Sequence, residues 1–229
     1  MGKVISLVNP KGGVCKSTLA LCLGSVFGNS CIIDQDPQGS IWSWYQDGQL
    51  DRDTETKGKT NPTVEFYGIE DLTIEALEDY ADRFDYVFID CPGESEAGIK
   101  TKTALVYSDL IIIPVKESEF DIASLLDHLM PLLGDATDSN ERSGRIVFLP
   151  TFCHVNSKAE RIIARFQSLQ QEVLPAVLRS RKVFEKFSEN GQTLGEYAEN
   201  ARFVNDRIQA RAAIDDIEAI ATQIKNLLK

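Results

Sequence analysis

Five short runs in this chain, Val4–Val8, Cys31–Ile33, Tyr86–Ile89, Leu110–Val115 and Ile146–Leu149, are almost uninterrupted apolar residues rich in Val and Ile. A strand with one face in water alternates apolar and polar residues, so runs without alternation belong to a sheet covered on both faces. Helical patterns lie between them. Ser17–Phe27 is apolar nearly all round and reads as a buried helix, and Leu72–Phe84 and Ile122–Leu133 are amphipathic. Ser157-Lys158-Ala159-Glu160 has the capping-box pattern and opens a helix whose inner face is Ile162, Ile163, Phe166 and Leu169. Ile214, Ile217, Ala221, Ile224 and Leu228 recur at spacings of three and four and predict a final amphipathic helix. Strand and helix alternate throughout, which predicts an α/β fold with a doubly wound, mostly parallel sheet and helices on both faces. Gln46–Pro62 is polar and reads as a surface loop. With no linker or repeat in sight, one domain over residues 1–229 is expected.

Composition excludes some classes. Lys and Arg number 24 against 35 Asp and Glu, a net charge of −11, which argues against a wholesale polyanion binder but leaves room for a local basic patch. The five cysteines, Cys15, Cys22, Cys31, Cys91 and Cys153, include no C-x-x-C pair, a poor pattern for disulfides or for a zinc or iron–sulfur centre. There is no signal peptide and no long apolar run, so a cytoplasmic location with reduced thiols is expected. Met1-Gly2 with Ser6 fits a loose myristoylation pattern, but Lys3–Val8 reads as buried strand and the match is set aside.

The strongest local signal is Asn9-Pro10-Lys11-Gly12-Gly13-Val14-Cys15-Lys16-Ser17-Thr18, which follows the first strand and opens the first helix. Glycines let backbone N–H groups turn inward around phosphate oxygens, and the helix N-terminus favours negative charge. Lys16 is placed to meet the β and γ phosphates of a nucleotide, and the Ser17 hydroxyl to ligate Mg²⁺. Two residues depart from the usual phosphate loop, Pro10 at its first glycine and Cys15 at its second. A side chain at Cys15 would crowd the phosphates or strain the backbone, and the nearby lysines and helix terminus would lower its thiol pKa unless it is simply a tolerated small residue.

Carboxylates close the next two internal strands. Asp34-Gln35-Asp36-Pro37-Gln38 ends the second run, and two acids spaced i, i+2 there point to the same side, into the crevice where α/β sheets bind ligands. Phe84–Ile89 closes on Asp90, followed by Cys91-Pro92-Gly93, the arrangement of a Walker B strand with its acid near Mg²⁺.

Lys11-Gly12-Gly13 followed by Lys16-Ser17-Thr18 resembles the deviant Walker A loop, K-G-G-x-G-K-[ST], of the ParA/MinD ATPase family, and a proline at Pro10 is familiar in small plasmid partition ATPases. Ser108-Asp109-Leu110 through Pro114-Val115 and Phe120-Asp121, with Arg179–Phe184 and Gly191-Gln192-Thr193, resemble later blocks of that family, so the likeness spans the chain. The resemblance implies ATP and Mg²⁺ as cofactors, bound by Lys11, Gly12, Gly13, Val14, Cys15, Lys16, Ser17 and Thr18. Thr151 falls where adenine-side contacts lie. It implies metal-site roles for Ser17, Asp34, Asp36 and Asp90. Lys11, Lys16 and Asp36 would be catalytic, Lys11 by crossing to the ATP of a second subunit and Asp36 by orienting the attacking water. A homodimer in the ATP state, slow and partner-stimulated hydrolysis, and a centromere-binding or cargo adaptor are also implied.

What such a dimer grips divides the family. The last helix carries Asp215, Asp216 and Glu218, unlike the basic membrane-binding tail of MinD-type proteins, so no membrane contact is expected. Residues 176–211 hold seven basic residues, Arg179, Arg181, Lys182, Lys186, Arg202, Arg207 and Arg211, against five acidic ones. These are the candidates for non-specific DNA contact, with nucleoid association and a plasmid or large protein assembly as cargo. No helix-turn-helix segment precedes the loop, so operator-specific repression is not expected. The alternatives are a MinD-like spatial regulator on membrane, a metallocluster relative, for which Cys91 and Cys153 lie in the wrong contexts, and a nucleotide switch that does not hydrolyse.

Overall fold

A computed structural model describes residues 1–50, 62–68, 71–93, 97–116, 144–153 and 159–229, with Leu125, Leu129, Leu133, Gly134 and Arg142 between them. Phe120, Asp121, most of the segment read as a helix over 122–133, and the Ser157-Lys158 half of the capping box lie outside the described residues.

Seven strands form one sheet in the order β3-β2-β4-β1-β5-β6-β7. They are β1 (Lys3–Leu7), β2 (Ser30–Asp34), β3 (Thr63–Phe66), β4 (Tyr86–Asp90), β5 (Leu110–Val115), β6 (Arg145–Cys153) and β7 (Leu178–Arg179). Every pairing is parallel, which explains the missing alternation, since helices cover both faces. Alternate residues along each strand separate into two cores. Ile32, Phe88, Ile112 and Val147 pack with the helix α1 (Lys16–Phe27) on one face. Ile33, Ile89, Ile111 and Phe148 pack on the other with α3 (Ile74–Arg83) and α5 (Ala159–Ser168).

Four further helices are α2 (Ser40–Leu50), α4 (Ala97–Val106), α6 (Val183–Lys186) and α7 (Leu194–Asn200). The last, α8 (Val204–Leu227), lies on α1, with the Lys225 ammonium 4.5 Å from the centre of the Phe27 ring. Residues 46–50, read as the start of a surface loop, are the last turn of α2. That helix is held by its aromatic face, Trp44 being buried with Nε1 donating to the Gln192 carbonyl at 2.9 Å. Among the described residues no helix is long and apolar enough to cross a membrane.

Register fixes the level of the site. Leu7 of β1, Asp34 of β2 and Asp90 of β4 lie in one row at the carboxyl ends of their strands. The loop from β1 to α1 therefore opens beside the two strand-end acids.

Candidate nucleotide site

The loop after β1 is built from inside. Asn9 is buried, its amide donates to the Pro114 carbonyl on β5 at 2.8 Å, and its Oδ1 accepts the Lys11 N–H at 2.8 Å. Gly13 has φ of 70°, where a side chain is costly. Cys15 adopts φ 73° and ψ 26° immediately before α1, a left-handed conformation in a residue with a Cβ. The Lys16 side chain folds back into the loop and donates to the Asn9 carbonyl at 2.9 Å, leaving 7% of the residue exposed. Around this turn lies a cavity of ≈ 560 Å³ lined by Gly12 through Thr18, by Asp36, Pro37 and Gln38, and by Pro92 and Gly93. It gathers the loop, the end of β2 and the end of β4, as the sequence predicts.

The three acids have different surroundings. Asp34 is fully buried and its Oδ2 accepts the N–H groups of Ile41 and Trp42 at 3.0 Å each, while Oδ1 accepts that of Asp36 at 3.1 Å. It thus anchors the first turn of α2, where orphan N–H groups need an acceptor. Burial raises its pKa and these backbone donors oppose the rise. Asp36 is half-exposed in the cavity wall, with Oδ1 accepting the Gln38 N–H at 2.9 Å. Asp90 is 1% exposed; the Ser17 hydroxyl stands near its carboxylate and favours its ionised form, and Oδ1 has no partner among the described residues. Its pKa rises to about 7, chiefly through burial, with Asp34 and Asp36 pushing the same way and Ser17 and Lys16 opposing.

No group of three or more His, Cys, Asp or Glu among the described residues is arranged to hold a metal. A magnesium ion suits the site differently: Ser17 and the orphaned Asp90 oxygen are hard donors, and such ions take most remaining ligands from phosphates and water. The cradle of Gly12, Gly13 and the α1 N-terminus fits a polyphosphate on the same grounds. Asp34, expected in the metal set, instead has both oxygens engaged by backbone N–H groups of the α2 end.

Other expectations are redirected. The Cys15 side chain joins the core against α1, and burial raises its thiol well above the ordinary value, overriding the lowering influence of a lysine. A low thiol pKa at this loop is therefore corrected. Thr151, expected on the adenine side, does not line the cavity; it is buried and its hydroxyl lies 3.2 Å from the Val14 carbonyl and 3.3 Å from that of Val115. It braces the loop to β5. Lys11 is exposed at the rim and lines a separate small pocket with Lys116 and Leu125. Lys116 was not anticipated, although its ammonium would stand 3.7 Å from a methyl group placed on Gly13 and 5.2 Å from the Phe152 ring centre.

Three of the seven DNA-contact candidates are engaged within the chain. Arg179 and Arg181 both meet Asp216, at 2.7 and 2.9 Å, and Lys186 meets Asp206 at 3.0 Å. Arg181 retains only 12% side-chain exposure. Lys182, Arg202, Arg207 and Arg211 are exposed, with Arg207 Nε donating to the Ala201 carbonyl at 2.7 Å.

Known proteins resemble this chain. The CobQ/CobB/MinD/ParA nucleotide binding domain matches residues 5–226. The sporulation initiation inhibitor protein Soj of Bacillus subtilis (strain 168) is 28% identical over 151 residues, 51% of this chain and 59% of Soj. The chromosome partitioning protein ParA of Myxococcus xanthus is 28% identical over 170 residues, 58% of this chain and 59% of ParA. The chain thus spans less than two thirds of either relative. An ATP complex of Cyanothece McdA superposes with a TM-score of 0.67 at 16% identity, over 98% of this chain and 96% of that one. A plasmid partition protein of Borrelia burgdorferi B31 bound to AMPPNP gives 0.63 at 18% identity, over 97% and 100%. These likenesses show the fold, a parallel sheet of the P-loop NTPase kind. From the matched domain and the loop geometry together, the chain belongs to the CobQ/CobB/MinD/ParA nucleotide-binding family, as a ParA/MinD-type member.

Proposed function

We propose that residues 1–229 form a single P-loop ATPase domain of the partition type, whose ATP-bound homodimer grips DNA without sequence preference and positions a large cargo through an adaptor protein. The observation that carries this reading is the division of labour between two lysines on one loop. Lys16 is buried within the cavity, whereas Lys11 stands exposed outside it. In the proposed cycle Lys16 leaves the Asn9 carbonyl for the β and γ phosphates, and the backbone N–H groups of Gly12 to Thr18 orient them. Mg²⁺, held by Ser17 and Asp90, would neutralise charge on the phosphate oxygens. Asp36, half-exposed in the cavity wall, accepts from and orients the attacking water. Lys11 meets the γ phosphate of a second copy, so pairing completes the site and hydrolysis dissolves the pair.

The DNA-binding surface in this reading is formed by Lys182, Arg202, Arg207 and Arg211, the exposed candidates that form no ion pair among the described residues. A cytoplasmic, nucleoid-associated location goes with it. The test is fluorescence anisotropy of a random-sequence duplex under ATP, ADP and no nucleotide, at low and high salt. Salt-sensitive binding only with ATP is expected. ATP binding without DNA binding in any state would end the nucleoid reading and leave a spatial regulator with another partner.

A further inference from the structure

Along α8 the exposed residues Arg207, Arg211 and Glu218 and the half-buried Ile214 recur at spacings of four, seven and eleven, so they form one stripe. Another face of the helix, with Ala213, Ile217, Ile220 and Ile224, is in the core. Charge on the stripe is segregated. Its N-terminal half is cationic, with Arg207 and Arg211 and with Arg202 just before the helix, and its C-terminal half is anionic, with Glu218 and with Asp215 beside it. Arg211, Asp215 and Glu218 carry no ion pair among the described residues, whereas Asp206 and Asp216 are paired within the chain.

The same two halves differ in shape. At the cationic end Phe203, Val204 and Ile208 are 63%, 70% and 57% exposed. Beside the anionic end α1, α7 and α8 bound a groove of ≈ 450 Å³ floored by Val26, Leu194 and Ile214 and rimmed by Glu196, Glu199 and Glu218. One end is thus a basic apolar knob and the other an acidic apolar groove.

We propose that this face pairs with a second copy of the chain, α8 against α8 antiparallel about a two-fold axis between residues 211 and 214. That operation sets Arg207 of each copy against Glu218 of the other, Arg211 beside Asp215, and the knob of each copy over the groove of the other. A two-fold interface must be self-complementary, and a helix face basic at one end and acidic at the other satisfies this when antiparallel. Phosphate oxygens of anionic lipid would meet the arginines but be repelled by the four acidic side chains along the same face. The pairing makes no use of the nucleotide loop and needs no ATP. It covers Arg202, Arg207 and Arg211, so it competes with DNA for them.

Sedimentation velocity of the nucleotide-free chain over a wide concentration range tests the contact. The wild type is expected to dimerise, more weakly at high salt. Arg207→Glu alone and Glu218→Arg alone each raise the dimer dissociation constant about tenfold or more, through like-charge contacts made twice per dimer. An equimolar mixture of the two variants regains wild-type association, because each supplies the charge the other lacks. Both positions are exposed, and because Arg207→Glu also removes the bond to the Ala201 carbonyl, circular dichroism checks that each variant stays folded; Ile208→Asp provides a third variant that weakens pairing without a charge partner. A wild type monomeric throughout, single variants that still dimerise, or a mixture that stays monomeric would each overturn the proposal. So would an Ile208→Asp chain that loses binding to phosphatidylserine vesicles yet associates as the wild type does. None of these readouts depends on ATP, so they stand apart from the nucleotide-dependent dimer.

Discussion

Cys15 adopts a backbone conformation that glycine occupies readily and residues with a Cβ reach at a cost of about 1 kcal/mol or more. Cys15→Gly removes that strain along with the buried thiol, whereas Cys15→Ala removes most of the side chain and keeps the strain. The glycine variant should therefore be more stable than the alanine variant by about 1 kcal/mol in urea denaturation. Equal stability would mean that the loop relaxes around the side chain. A second residue-scale outcome concerns pH. Asp90 holds its proton up to about 7 when folded, against about 3.9 in an unfolded chain, so the native state binds more protons across that window. Stability of the protein free of nucleotide and magnesium then falls as pH rises from about 4 to 7, and Asp34 contributes in the same direction. Asp90→Asn should flatten that profile and raise the urea midpoint above neutrality; an unchanged slope would place the ionisation elsewhere. At this scale the placing of the phosphate loop and Asp36 on one cavity, and of Asp90 at the end of β4, was legible, because it follows from local sequence after a strand. Lys116 was not, since it reaches Gly13 only through the pairing of β1 with β5, about a hundred positions on. The cap role of Asp34 was equally hidden, as it depends on where α2 begins.

At the scale of elements, five apolar runs marked five of the seven strands, because a strand buried on both faces has few polar positions. The strands β3 and β7 escaped: each lies at a sheet edge, β3 carries a polar Glu65 and β7 is two residues long. The helix α2 escaped in part because Gln46-Asp47-Gly48-Gln49 has the composition of a loop, while its stability rests on Asp34 and Trp44. Thr193 to Glu196 forms a full capping box at the start of α7, a pattern the sequence displays at T-x-x-E spacing and which went unread. The ion pair of β7's neighbour Arg181 with Asp216 joins this edge to α8, with side-chain exposures of 12% and 8%. Asp216→Ala would leave a guanidinium buried without its partner, a loss of about 3 kcal/mol. Arg179→Ala, at a side chain 45% exposed, should cost less than about 1 kcal/mol. Urea denaturation of the two variants separates these, and equal losses would show that the pair with Arg181 is no stronger than one in water. Arg181 is accordingly a poor probe of DNA binding, since its removal disturbs the fold first.

For the whole molecule the governing quantity is net charge. Two chains of −11 repel, and two bound triphosphates add to the repulsion, so an ATP-dependent pair requires positive charge delivered across the interface. In the proposed cycle Lys11, exposed on the loop and outside the cavity lining, supplies it. Lys11→Ala should bind ATP with nearly wild-type affinity, because Lys16 and the loop amides remain, and yet show no gain in association when ATP is added, as read by light scattering. Asp36→Ala provides the complementary case. It keeps both lysines and the Ser17–Asp90 pair, so it should bind ATP and dimerise, but single-turnover hydrolysis should fall by about a hundredfold or more for want of a group that orients water. The pair of variants separates assembly from chemistry. If Lys11→Ala still dimerises with ATP, the charge must come from elsewhere on the rim, and Lys116, facing the same small pocket, is the residue to change next.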